Sequence, residues 1–256
     1  YSVILQVALD LLGYLMSYSN LPYAESSRLM AFKQKAEQEF GLSFGPVGPS
    51  AYQALHRWSV AHTGSFHGLV WDFCGLKGDK GRTAVLNGQS IQEAEFFPDS
   101  KISFTENMLA RAETHPNEPA IISRTAGVEQ DRILTWRQLS EEVSRWEQVL
   151  EELGVGEGDP VVTYLPHAPE AHIVMMAAAQ RGAVFASVGT EMGAQATAAR
   201  FAQIQPKLLI AADGYTHMAR AGQPGKCEDR LGLIAELQQN LPSLERTIIV
   251  PNLSQN

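Results

Sequence analysis

The chain has 256 residues and a formal net charge of −8, from 20 lysines and arginines against 28 aspartates and glutamates. Its 45% of hydrophobic residues is typical of a folded globular chain and excludes a disordered one. The acidic balance argues against a nucleic-acid-binding protein, which needs basic surface to displace counterions. Two cysteines are too few for a disulfide-stapled secreted domain, so we expect a cytoplasmic protein.

Residues 1–28 are a hydrophobic extension without an assigned role. Tyr1–Leu15 is chiefly apolar, with Gln6 and Asp10 as its main polar positions, and it lacks the basic region that opens a signal peptide. It is shorter than the roughly 20 apolar residues that span a bilayer. We therefore expect a hydrophobic helix on the body of the protein, or sequence outside the true protein, rather than a membrane anchor.

Residues 29–98 predict a mainly helical preface. One of the two serines at 26 and 27 can cap a helix that ends at Gly41. A second helical stretch is predicted from Tyr52 to about Trp71. The first helix places four apolar residues on one face: Leu29, Phe32, Ala36 and Phe40.

The same region carries three histidines and a cysteine, His56, His62, His67 and Cys74, at separations of 6, 5 and 7 residues. These separations do not match compact zinc-ligand spacing, so we interpret the histidines as ordinary core or surface residues. Cys74 is expected to be a small packed hydrophobe. Residues 75–90, rich in Gly, Lys and Asp, predict a surface loop.

After Pro98 the pattern changes to alternating helices and strands. A capping box at 103–106 predicts the start of a helix, and short apolar runs at 120–122 and 132–134 predict two strands. A second capping box at 135–138 predicts a long helix stopped by glycine. Its apolar residues alternate at spacings of four and three: Leu139, Val143, Trp146, Leu150 and Leu153.

Strands and helices then alternate to the end of the chain. The predicted strands are 161–165, 183–188, 208–212 and 247–250, and the predicted helices are 170–181, 194–204 and 228–240. These strands are continuous apolar runs, as in a parallel sheet covered on both faces. The predicted fold class is therefore α/β, with a doubly wound, mainly parallel sheet behind the helical preface.

Ligands of such sheets bind beyond the carboxyl ends of the strands. Those ends are followed here by residues 166–167, 189–192 and 213–216, which by themselves indicate only turns. Residues 154–159, GVGEGD, do not predict a phosphate loop, because they lead from a helix into a strand and not from a strand into a helix.

Several segments, in order along the chain, resemble the adenylate-forming acyl-CoA synthetase superfamily, the AMP-binding enzymes. They are FPDSKISFTENML at 97–109, LTWRQL at 134–139, GVGEGDPVVTYLPHAPE at 154–170, RGAV at 181–184 and QPKLLIAADG at 205–214. Within the preface, ALHRWSV at 54–60 and WDFCG at 71–75 resemble the acetoacetyl-CoA synthetases. The resemblance covers about residues 29–256 and implies that 99–256 form the N-terminal part of an adenylation domain.

The resemblance implies a ligase that activates a short-chain carboxylic acid, acetoacetate by the preface motifs, as an acyl-adenylate and then transfers the acyl group to CoA. ATP, Mg²⁺ and CoA are the implied cofactors and substrates, and neither nucleic acid nor a membrane is an expected partner. Lys226 is the one implied cofactor-binding residue, because a cation near this turn can face a CoA phosphate. His167 stands where the family has asparagine, which we interpret as tolerance at a strand end.

The family's SGTTGxPK-type loop, its YGxTE motif and its late catalytic lysine are absent from these 256 residues, so no catalytic or metal-binding residue is assigned. With Tyr rather than Met at position 1, the sequence is interpreted as an N-terminal fragment that is inactive alone. Two alternatives stay open: a non-catalytic truncated paralogue acting as an interaction module, and a free-standing α/β nucleotide-binding domain. The lack of GxGxxG between a strand and a helix counts against the second.

Overall fold

The structure is a computed structural model, and it describes residues 26–87, 90, 92–124, 131–216 and 226–253. The expectation for Tyr1–Leu15 lies outside these residues. None of the helices in the described ranges is both long enough and apolar enough to cross a membrane. The chain divides into two compact units, residues 1–102 and 103–256, which are described separately below.

In its described part, the N-terminal unit contains three helices and a short antiparallel strand pair. These are α1 (Arg28–Phe40), α2 (Pro49–Ala61), α3 (Thr63–Cys74), β1 (Val85–Leu86) and β2 (Glu95–Phe96). The first helix is confirmed at both ends: the Ser27 hydroxyl accepts from the Met30 N–H at 3.3 Å, and Gly41 ends the helix in the left-handed conformation, with φ 63°.

The single helix predicted from Tyr52 to Trp71 is wrong, because the chain breaks at His62. Its backbone, with φ −127° and ψ 54°, leaves helical geometry and separates α2 from α3. The break lets Trp58 of α2 meet Phe66 of α3 edge to face, with ring centroids 6.3 Å apart. Phe66 also packs on Phe32 of α1 at 5.7 Å, so an aromatic core decides where the helix is interrupted.

Two smaller expectations for this unit are also corrected. The loop predicted at 75–90 contains β1, which pairs with β2. Cys74 is exposed rather than packed, because it is the last residue of α3. The histidines each lie against an aromatic ring, with centroid separations of 6.4 Å for His56–Tyr52, 6.1 Å for His62–Trp58 and 4.7 Å for His67–Phe96.

The C-terminal unit is an α/β layer structure. Its elements are α4 (Phe104–Leu109), α5 (Arg111–Thr114), β3 (Pro119–Ser123), β4 (Arg132–Thr135), α6 (Trp136–Glu152), β5 (Pro160–Tyr164), α7 (Pro169–Gln180), β6 (Val184–Val188), α8 (Ala194–Phe201), β7 (Leu208–Ala212), β8 (Gly214–Thr216), β9 (Cys227–Asp229), α9 (Leu231–Asn240) and β10 (Arg246–Val250). Four strands form an all-parallel sheet in the order β6-β5-β7-β10, which confirms the predicted fold class.

The two faces of this sheet bury alternate side chains of the central strands. On β5, Val161 belongs to the core formed with α6 and α7, whereas Val162 and Tyr164 belong to the core formed with α8 and α9. On β7, Ile210 and Leu209 divide in the same way. Helices therefore cover both faces, which explains why these strands are continuous apolar runs.

The helix predicted from 228 begins later than expected. Residues 227–229 form β9, which pairs antiparallel with β8, and α9 starts at Leu231. The Arg230 N–H donates to the Asp213 carbonyl at 2.8 Å, so the end of this hairpin is joined to the end of β7. The pairing of β9 with β8 therefore outweighs the helical pattern of residues 228–230.

The long helix α6 confirms its predicted start. The Thr135 hydroxyl accepts from the Gln138 N–H, and the Gln138 side chain accepts from the Thr135 N–H, which completes a capping box. Its apolar residues Leu139, Val143 and Leu150 are buried against the sheet.

At the amino end of the sheet, Lys207 joins the turn before β5 to the start of β7. Its ammonium donates to the Asp159 carboxylate at 2.8 Å and to the Gly154 carbonyl at 2.7 Å. The hydrogen bond from Lys207, with a second from the Gly156 N–H, lowers the pKa of Asp159 below its ordinary value of 3.8. Lys207 therefore fastens the turn at residues 154–159 to the amino edge of the sheet.

We predict that Lys207→Met lowers the urea midpoint of the C-terminal unit at pH 7. Because the folded-state pKa of Asp159 is lowered, its stabilising contribution is present above pH 3.8 and is lost as the pH falls through the lowered pKa. The midpoint difference between variant and parent should therefore shrink between pH 7 and pH 3. Lys226→Met, which removes an exposed lysine paired with Glu228, is the matched control; equal midpoints for both variants at pH 7 contradict the prediction.

Candidate functional site

The strand order places a crevice at the carboxyl edge of the sheet. From β5 the chain crosses to β6 on one side, and it then returns past β5 to reach β7 on the other side. This reversal makes the β5–β7 pair the topological switch point, where open α/β sheets bind their ligands. Residues 165–168 leave the end of β5 there, and residue 213 leaves the end of β7.

Tyr164, the last residue of β5, fixes one wall of this crevice. Its side chain is fully buried, and its one hydroxyl proton is shared between the carbonyls of Thr190 and Met192, at 2.7 and 2.9 Å. Burial raises the pKa of Tyr164. The phenol therefore keeps its proton and ties the β6–α8 loop to the end of β5.

The β8–β9 hairpin follows the end of β7, and Arg230 comes directly after it. The Arg230 guanidinium donates to the Tyr215 hydroxyl at 2.8 Å and lies over the Tyr215 ring, 5.0 Å from its centroid. One side chain thus makes both a hydrogen bond and a cation–π contact to the same tyrosine. This arrangement orients the guanidinium at the switch point.

The electrostatic surroundings of Arg230 favour its charged form. Burial works to lower the pKa of Arg230, but the hydrogen bond with Tyr215 and the nearby Tyr164 and Glu228 outweigh it and raise the pKa. The Arg230 Nε atom is buried and makes no hydrogen bond to the part of the chain that the structure describes. The guanidinium therefore brings a fixed positive charge to the crevice.

Lys226, the candidate site residue from the sequence, lies just before β9. Its side chain is 78% exposed, and its ammonium lies 3.0 Å from the Glu228 carboxylate. Glu228 also lies 3.7 Å from Arg230, so one carboxylate is placed between two cations. The structure therefore brings Lys226 and Arg230 to the same edge of the sheet.

Gly214 shows how closely the hairpin approaches this edge. A Cβ atom at this position would overlap the Glu228 carbonyl oxygen and the end of the Leu253 side chain. The Asp213 carboxylate accepts from the Asn252 and Leu253 N–H groups at 2.8 and 2.9 Å. The dipeptide at 213–214 therefore locks the chain after β10 onto the base of the hairpin.

Sequence reasoning selected the right strand ends but missed the residues that build the site. The sequence pattern predicts Tyr164 only as part of an apolar strand, and it predicts Arg230 as part of a helix. Tyr164 could have been noticed, because a polar hydroxyl at the carboxyl end of a buried strand needs a partner. His167, the family departure, is exposed in the β5–α7 loop.

This arrangement can bind an anionic group, since Lys226 and Arg230 both lie beside the hairpin. Within the described residues, no group of three or more His, Cys, Asp or Glu side chains is placed to hold a metal ion.

Comparison with known proteins finds a matching family and similar relatives. Residues 108–255 match the family model described as AMP-binding enzyme. The chain is 34% identical to an acetoacetyl-coenzyme A synthetase of Rhizobium meliloti over 230 residues, 89% of this chain and 32% of the relative. It is 28% identical to a malonamoyl-CoA synthetase of Penicillium aethiopicum, over 88% of this chain and 30% of that one.

A solved structure agrees with these matches. The acetoacetyl-CoA synthetase from Streptomyces lividans superposes with a TM-score of 0.82 at 30% identity, covering 93% of this chain and 35% of that one. The chain therefore spans about a third of the length of the relatives it matches.

We predict that Tyr164→Phe destabilises the C-terminal unit by about 1–3 kcal/mol, because the buried hydrogen bond from its hydroxyl to the Thr190 carbonyl is lost. Urea unfolding measures the loss, and amide exchange of residues 189–193 should quicken. Tyr52→Phe, which removes the hydroxyl of a 54% exposed ring, is the control and should unfold like the parent. A Tyr164→Phe variant as stable as this control shows that the hydroxyl does not hold the loop.

Proposed function

The chain belongs to the AMP-binding enzyme family, and from that premise we propose that it is the N-terminal third of an ATP-dependent acyl-CoA ligase for acetoacetate. The observation that carries the proposal is the match of nearly the whole chain, in sequence and in fold, to acetoacetyl-CoA synthetases. The preface supports the choice of acid, since its motifs at 54–60 and 71–75 resemble that group. A relative with a different acid in its name, the malonamoyl-CoA synthetase, matches almost as much of the chain, so the identity of the acid is tested below.

The proposed reaction has two steps in one enzyme. The acid's carboxylate displaces pyrophosphate from ATP to form the acyl-adenylate, and the CoA thiol then displaces AMP to form the thioester. Mg²⁺ offsets the charge of the phosphates in the first step when it is bound. The family's SGTTGxPK-type loop, YGxTE motif and late catalytic lysine are absent from these 256 residues, so in this proposal the adenylation chemistry belongs to other parts of the enzyme and this chain alone is inactive.

What this chain contributes is a charged edge for CoA. In this proposal the exposed Lys226 ammonium binds a CoA phosphate by exchanging its contact with Glu228, which lies on the surface and is readily released. Arg230, held by Tyr215, keeps a second positive charge close by. A phosphate that displaces the Glu228 carboxylate from Lys226 gains one charge-assisted hydrogen bond there.

We predict that purified chain 1–256 releases no AMP from ATP, acetoacetate and CoA. A chimera that joins this chain to the remaining two-thirds of the Rhizobium meliloti enzyme should release AMP in an acetoacetate-dependent manner, since the fold of the replaced part is shared. Circular dichroism checks that the chimera is folded. Turnover by the isolated chain contradicts the proposed inactivity, and a folded chimera without acetoacetate-dependent AMP release contradicts the proposal that this chain is the N-terminal part of such a ligase.

We predict that Lys226→Ala in this chimera raises the KM for CoA by about tenfold, the value of one charge-assisted contact. The KM values for ATP and acetoacetate should stay unchanged. Lys80→Ala is the matched control, since Lys80 is also an exposed lysine held by a carboxylate, Asp72, at 2.6 Å. An unchanged KM for CoA in the Lys226 variant contradicts the assignment.

A further inference from the structure

One face of the β8–β9 hairpin carries three charges of alternating sign. Lys226, Glu228 and Arg230 are every second residue along β9 and its flanks, and alternate residues of an extended strand point to the same face. Tyr215 lies opposite Glu228 in the register of the hairpin. The Arg230 guanidinium lies over the Tyr215 ring, so these four side chains share one face.

Glu228 divides its two carboxylate oxygens between the two cations. Oε1 accepts a hydrogen bond from the Lys226 ammonium at 3.0 Å. Oε2 lies 3.7 Å from Nη1 of Arg230, which is longer than a hydrogen bond between nitrogen and oxygen. One contact is therefore made, and the other forms when the carboxylate moves about 1 Å toward Arg230.

The two cations differ in how firmly they are held. Nη2 of Arg230 donates to the Tyr215 hydroxyl at 2.8 Å, and the Arg230 side chain is only 21% exposed. The Lys226 side chain is 78% exposed. The guanidinium is thus a fixed partner whose Nη1 faces Glu228, whereas the ammonium is open to ligands from solvent.

A phosphate that binds Lys226 meets the negative charge of Glu228, and like charges at this distance oppose each other. Withdrawal of the Glu228 carboxylate into water breaks an ion pair. Its withdrawal toward Arg230 replaces that ion pair with another one. Arg230 therefore lowers the free energy needed to displace Glu228 from Lys226.

In the proposed function Lys226 binds a phosphate of CoA, and on that basis we propose that Glu228 is a carboxylate switch. It pairs with Lys226 while the hairpin is empty, and it pairs with Arg230 while a CoA phosphate occupies Lys226. Glu228 and Arg230 are thus positioning residues that set the affinity for CoA without contacting it. The acyl-CoA product carries the same phosphates, and the return of Glu228 to Lys226 assists its release.

Titration of the full chain 1–256 with CoA tests the switch, with the amide resonances of residues 214–216 and 226–230 giving the Kd by NMR. Glu228→Gln keeps the shape of the side chain and removes its charge, so Lys226 no longer has to leave an ion pair. We expect this variant to bind CoA about threefold more tightly, the value of one exposed ion pair. Lys226→Ala should weaken binding about tenfold. Pantetheine, which lacks every phosphate, should give the same result with the parent and with Glu228→Gln.

Asp72→Asn is the matched control, because Asp72 also holds an exposed lysine, Lys80, at 2.6 Å, but in the N-terminal unit. This variant removes the same charge from the chain and should leave the Kd for CoA at the parent value. Tightening by Asp72→Asn equal to that by Glu228→Gln shows a general effect of net charge and overturns the switch.

A double-mutant cycle separates the role of Arg230 from a direct contact with the phosphate. As the partner of the displaced carboxylate, Arg230 matters only while Glu228 is present. Arg230→Met should therefore weaken CoA binding about threefold in the parent and leave it unchanged in Glu228→Gln. Equal weakening in both backgrounds places the phosphate on Arg230 itself and overturns the switch. Circular dichroism checks that the Arg230 variants are folded; where they are not, the Glu228→Gln result decides alone.

The failure of the switch is distinguishable from the failure of the proposed function. CoA binding involves neither the acid nor the adenylate, so it is independent of AMP release by the chimera. An unchanged Kd in Lys226→Ala, or a parent whose hairpin resonances do not respond to CoA, overturns the phosphate contact and the switch together. Weaker binding by Lys226→Ala beside unchanged binding by Glu228→Gln overturns the switch alone. Tighter binding by Glu228→Gln, with an Arg230 effect that depends on Glu228, supports it.

Discussion

The parallel hydrogen-bonded ladder of β6-β5-β7-β10 is the constraint on which the C-terminal unit depends. Its strands run in one direction, so every strand enters at one edge of the sheet and leaves at the other. Both faces of β5 and β7 are buried, so their register cannot slip without exposing apolar side chains. The sheet therefore has an amino edge and a carboxyl edge. Tyr164, Tyr215 and Arg230 all lie at the carboxyl edge.

This separation changes how the family motifs are understood. The GVGEGD turn and the lysine of the QPK segment meet at the amino edge, where Lys207 binds Asp159 and the Gly154 carbonyl. They stabilise the sheet far along the strands from the candidate crevice. The ADG end of the same QPK segment lies at the carboxyl edge, where Asp213 holds the chain after β10. One motif therefore serves both edges, because it contains the whole of β7.

The carboxyl edge is held together by residues that each make two kinds of contact. Tyr164 fills the core under α8 and α9 while its hydroxyl holds the β6–α8 loop. Arg230 closes the hairpin onto β7 through its N–H while its guanidinium packs on Tyr215. Lys226, beside these residues, is exposed and paired with Glu228. Preorganised charge of this kind reduces the entropy lost on binding an anion.

The sequence by itself determined the α/β class, both ends of α1, the capping box of α6 and the carboxyl-edge segments, because caps and periodicities are local properties of the chain. It also carried the family, through motifs kept in order. Only the tertiary structure decided the break at His62, the β8–β9 hairpin and the position of Arg230. The aromatic packing of Phe66 on Phe32 and the pairing of β8 with β9 join residues from different elements. Local propensity cannot register such contacts, since their energy exists only once the chain has folded.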